Sequence, residues 1–195
     1  MNDRVEAISE AQVAVQLDPR SPAVRAALAM TYSFYRQYAE AIAECDVAHE
    51  LDKGFMPAIR VRRWTYLAVK DSEGARYAFE DELKYGKGSI EEPGWRLIHT
   101  QLVEPDEDRT EKLRLLEEAV HSDLVEHNHR AFAFEAALAY NALGETEKAL
   151  EWLEKSEAAN AHSFNFLEVD PRIQNLKDEP PFRKLIEKLR TPKIV

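Results

Sequence analysis

Cys45 is the only cysteine in 195 residues, so no disulfide forms within the chain. A reducing compartment fits such usage. No stretch approaches the ~18 apolar residues that a membrane span needs. The opening residues MNDRVEAISEAQ lack a basic region followed by an apolar run, so no secretory signal is expected there. Basic charge is scarce as well. The 26 Lys and Arg face 36 Asp and Glu, a formal net charge of −10. A chain this acidic repels a phosphate backbone unless its basic residues gather on one face, which disfavours general nucleic-acid binding. No strand-like alternation is present either. These absences point to a cytoplasmic, all-α protein that binds neither membrane nor nucleic acid.

A repeat organises what remains. AISEAQVAVQLDP, from Ala7, aligns with AIAECDVAHELDK, from Ala41, with seven of thirteen positions identical and an offset of 34. Tyr32 and Tyr66 share that offset, as do Ala41 and Ala75. Further on, Thr110-Glu111-Lys112-Leu113 and Thr146-Glu147-Lys148-Ala149 stand 36 apart, each opening an apolar-periodic helix. The extra residues fall in turn-rich or acidic stretches, where insertions are cheap.

Each unit reads as two helices. Ser21-Pro22 is a cap residue followed by proline at the first helical position. Small residues (Ala41, Ala48, Ala75 and Ala149) fall where paired helices cross, and there they let the backbones approach. Helices are expected over 3–17, 22–36, 38–51, 56–69, 72–85, 92–103, 108–121, 129–143, 146–159 and 180–190.

Leu28, Ala29, Tyr32, Ala41 and Ala48, and again Ala137, Tyr140, Gly144, Ala149 and Leu153, resemble the tetratricopeptide repeat family. Trp95 takes the family's Trp position in the middle unit. Arg62 and Arg63 depart from the pattern, standing where the family prefers Leu and a small residue, so that helix is either rotated or loosely packed. The stretch Phe166 to Ile186 is similar to the closing segment of tetratricopeptide arrays in bacterial signalling and regulatory proteins. The resemblance implies a right-handed α-solenoid of helix-turn-helix repeats occupying 1–195 as one domain. Its parts would be a partial repeat over 3–19, repeats over 22–53, 56–87, 92–125 and 129–161, and a C-terminal cap over 162–195.

The resemblance also implies a function. First helices of such repeats line an inner surface, which here receives Met30 and Phe34, then Arg60 and Trp64, then Phe134, Leu138 and Asn141. That groove would bind a peptide or protein, and the chain would be a non-catalytic scaffold without a cofactor. The alternative is that these residues are core, buried by the C-terminal segment or between units. The family's Lys and Asn carboxylate clamp is absent. A homodimer is a further alternative, through the apolar face of Ile8, Ala11 and Val15 on an N-terminal helix that lacks its usual partner. So is a regulatory C-terminal segment of a signalling protein.

His121, His127 and His129, with Asp123 and Glu126, raise a metal-dependent enzyme as a weaker reading. No second ligand pair at metal spacing accompanies them, and a polar loop entering a helix explains the same residues. Arg60, Arg62, Arg63 and Lys70 form a basic cluster, either an anion site or a helix face pairing with carboxylates. Cys45 is expected to be a buried, inert thiol. The sequence contains no serine elbow, paired redox cysteines or nucleotide fingerprint.

Overall fold

A computed structural model describes residues 2–86, 108–122, 129–159 and 167–190. The expected helix over 92–103 with Trp95, and the loop 123–128 with His127, lie outside the described residues. The chain divides into two compact units, Met1–Ser89 and Ile90–Val195. Regular structure among the described residues is helical throughout.

Unit 1 holds α1 (Asn2–Leu17), α2 (Pro22–Phe34), α3 (Tyr38–Leu51), α4 (Met56–Ala68) and α5 (Ser72–Tyr85). The repeat is carried into the backbone: α2 and α4 begin 34 residues apart with 13 residues each, and α3 and α5 do the same with 14. The Ser21 hydroxyl accepts from the Val24 N–H, and the Asp71 carboxylate accepts from the Gly74 N–H. Each side chain satisfies a backbone donor that the first helical turn leaves open. Packing is serial: α2 pairs with α3, α4 with α5, α2 with α4, α3 with α4, and α1 with α2. Helix hairpins stacked in this order make up a solenoid.

The turn from α2 to α3, the turn from α4 to α5 and the turn at Gly144 are built alike. Arg36, Lys70 and Gly144 are left-handed, with φ of 63°, 60° and 75°. The next residue's N–H then reaches back to a tyrosine carbonyl: Gln37 to Tyr32, Asp71 to Tyr66 and Glu145 to Tyr140, each at 2.9 Å. This bond closes the helix end and reverses the chain. It delivers Ala41, Ala75 and Ala149, all fully buried, to the crossing with the preceding helix.

Arg62 and Arg63 follow neither expectation. Helix α4 keeps the repeat register, and both arginines are buried. Arg62 bonds Asp46 at 3.4 Å and also Asp81; Arg63 Nε donates to Glu82 at 2.9 Å. Acids on α3 and α5 thus replace the apolar contacts the family would make, because a buried charge requires a partner.

The N-terminal helix also differs from expectation. Ile8, Ala11 and Val15 do not wait for another subunit; they pack against Leu28, Tyr32 and Ala41 of their own unit. An α2 face so close in sequence satisfies them first.

Unit 2 holds α6 (Arg109–Val120), α7 (His129–Ala142), α8 (Thr146–Ala158), a 3₁₀ segment (Pro171–Leu176) and α9 (Pro180–Arg190). Leu116, Phe134, Leu138, Tyr140 and Leu153 share one apolar core with Leu167, Ile173, Leu176, Phe182 and Leu185. The C-terminal segment therefore covers the hairpin α7–α8. Asp170, buried, holds it in shape by accepting from the Arg172 backbone N–H at 2.9 Å and from its guanidinium at 2.6 Å.

Candidate partner-binding face of unit 1

The repeat places Met30 and Trp64 at equivalent positions on α2 and α4. Both pack, half-buried, against the buried cluster of Ala29, Cys45 and Val61. Phe34 lies one turn beyond Met30, and Arg60 one turn before Trp64, so each pair shares a helix face. Phe34 is also half-buried. The result is a small apolar patch of Met30, Phe34 and Trp64 with the Arg60 cation at its edge. Ser33 and Thr65 bond beneath it, hydroxyl to hydroxyl at 3.1 Å, and tie α2 to α4.

Arg60 is the charged member, and its side chain is 37% exposed. Its Nε donates to Glu82 Oε1 at 3.0 Å, while Arg63 Nε donates to the other oxygen. Glu82 is sealed from solvent and so fixes the Arg60 stem from below. A side chain held this way loses less rotamer freedom when it meets a ligand carboxylate. The basic cluster is accordingly a helix face pairing with carboxylates, as one of the two readings had it, although Arg62 and Arg63 are buried and not solvated. Arg60, Arg62 and Arg63 are each matched to an acid, and two of the three are buried.

The remaining groove candidates sit elsewhere. Phe134 and Leu138 are each only 3% exposed, under the C-terminal segment, with the Arg172 guanidinium 6.0 Å from the Phe134 ring centroid. Asn141 donates to the Arg172 carbonyl at 2.8 Å and exchanges bonds with the Asn175 side chain. These three residues dock the chain's own C-terminal segment and do not line an open groove, the alternative that the sequence had kept open. Their apolar spacing alone reads the same for core and groove.

Sequence reasoning missed Glu82. The available signal was three arginines on a helix whose stripe must be buried, which demands an acid on the facing helix. Cys45 is buried among α2 and α4 residues, and burial pushes its thiol up to about 12, with Arg62 opposing only in part. His121 is exposed, with Nδ1 2.7 Å from the Glu117 carbonyl. Among the described residues no group of three His, Cys, Asp or Glu is placed to share a metal ion. No helix there is long and apolar enough to cross a membrane.

No family model and no curated protein sequence matches the chain. Among solved structures it is similar to YrrB, described as a TPR protein with an unusual peptide-binding site. The likeness spans 92% of this chain and 90% of that one, with 17% identity and a TM-score of 0.49.

Proposed function

We propose that the chain is a non-catalytic protein-interaction scaffold whose unit 1 holds a peptide or protein segment across α2 and α4. The observation that carries this reading is the Arg60–Glu82–Arg63 arrangement beside Met30 and Trp64. A cation anchored through one nitrogen, adjoining half-buried aromatic and thioether side chains, supplies the anchor types that dominate peptide recognition. The ligand this face favours carries an apolar residue for Met30, Phe34 and Trp64 and a carboxylate for Arg60.

Peptides selected on the intact chain from a displayed random library test the reading. Trp64→Ala and Arg60→Glu are each expected to weaken a selected peptide about tenfold or more. Selected peptides that bind both variants as tightly as the parent would place recognition elsewhere.

A further inference from the structure

The shared turn bond aligns one hairpin of unit 1 with the hairpin of unit 2. Tyr66 and Tyr140 stand 74 residues apart, and α4 and α7 end in register at Ala68 and Ala142. Phe134, Leu138 and Asn141 on α7 therefore correspond to Arg60, Trp64 and Leu67 on α4. On α7 these places already hold a peptide segment, the chain's own Asp170–Leu176. It is a 3₁₀ turn opened by Asp170 and Pro171. Asn141 donates to the Arg172 carbonyl and bonds the Asn175 side chain. The Arg172 guanidinium lies over the Phe134 ring, and Leu138 shares the buried core of Ile173 and Leu176. Unit 2 thus displays one way in which such a face is filled.

Two of the three places change character on α4. Arg60 stands for Phe134, a cation for a ring, and Leu67 stands for Asn141, an aliphatic side chain for an amide; Trp64 keeps the apolar character of Leu138. Negative charge is short beneath this face. Arg60 and Arg63 share the single carboxylate of Glu82, while Asp46 and Asp81 bond Arg62. Arg63 Nη1 is buried with no hydrogen-bond partner. We infer that the α4 face takes an Asp-Pro 3₁₀ turn of a partner protein, shaped like Asp170–Leu176, with an acid in the place of Arg172 and an aliphatic residue in the place of Asn175. This rests on the reading of α2 and α4 as the binding face and names the segment bound there. The acid meets Arg60, whose stem Glu82 already fixes, and the aliphatic residues meet Trp64 and Leu67. The ligand's Asp accepts the N–H two residues on, as Asp170 does, so the turn is partly formed before it binds. The chain's own segment does not fit this place. It is buried against α7, and its Arg172 would meet Arg60 with like charge.

Two fluorophore-labelled peptides of residues 167–179 test the inference, one native and one carrying Arg172→Glu with Asn175→Leu. Titrated against the intact chain and followed by anisotropy, the changed peptide is expected to bind saturably and about tenfold or more tighter than the native one. Arg60→Glu in the chain should reverse the order, because the native Arg172 then meets an acid. Arg60→Phe with Leu67→Asn copies the α7 places without setting a second acid beside Glu82, and it too should favour the native peptide. Equal affinities, no saturable binding of the changed peptide, or a preference that neither chain variant moves overturns the inference. Tighter binding of the native peptide to the parent chain overturns it as well, since that peptide then exchanges with the segment on α7. Library-selected peptides that depend on Trp64 while the changed peptide fails remove this ligand and leave the α2–α4 face standing. Selected peptides indifferent to Trp64 remove the face itself.

Discussion

Arg63 and Glu82, one from α4 and one from α5, meet at 2.9 Å with both side chains sealed from solvent. Their equivalents one repeat earlier are Ala29 and Ala48, both fully buried. Removing one member strands the other in a low-dielectric interior. Glu82→Ala should therefore cost about 3–5 kcal/mol, and the joint replacement Arg63→Leu with Glu82→Leu should cost less than that single change. Urea unfolding of the three proteins decides it.

Gly74 is tight against Tyr66. A Cβ at residue 74 would stand 2.5 Å from Tyr66 Cδ1 and 2.8 Å from Cγ, atoms close to the backbone of a half-buried ring. The ring has little room to yield. Gly74→Ala is expected to lose roughly 1–3 kcal/mol in spite of its better helix propensity. Its unfolding midpoint in urea is the readout.

The three hairpin turns share one backbone conformation but not one residue. Gly144 adopts it freely, whereas Lys70 and Arg36 carry a Cβ into the left-handed region. Gly144→Ala should cost about 1 kcal/mol, and Lys70→Gly should gain roughly 0.5–1 kcal/mol. Equilibrium unfolding of the pair gives opposite signs if the turns are equivalent.

How legible this was depended on what the repeat recorded. Ala7/Ala41 and Tyr32/Tyr66 fixed the helix boundaries, because burial at a helix crossing selects small residues and the turn selects its own bond. α9, Pro180–Arg190, likewise matched the expected 180–190. Residues facing a neighbour outside the repeat were harder. Phe134 and Leu138 have groove spacing, but the segment around Ile173 and Leu176 covers them, and no periodicity reports which distant segment arrives. Arg62 and Arg63 read as a defect until Asp81 and Glu82 on α5 answered them. Ile8 and Val15 read as an open face, yet they pack against Leu28, Tyr32 and Ala41.

Cys45 offers a chemical check. Burial raises its thiol to about 12, well above the ordinary thiol value. The folded state holds the proton more firmly than the unfolded one. The resulting stability is fully present below the unfolded value and is lost as pH rises from there toward 12. At pH 8 the native thiol should react with Ellman's reagent slower than the denatured chain by roughly two to three orders of magnitude. Comparable rates would show that the cluster with Ala29 and Val61 is open.

The central claim is that recognition belongs to the face shared by α2 and α4. Amide chemical-shift mapping of the intact chain with a library-selected peptide tests it most directly. Perturbations concentrated on residues 26–34 and 60–68, and absent in Trp64→Ala at the same peptide concentration, are the predicted result. Shifts confined to unit 2, or unchanged in the variant, would contradict it.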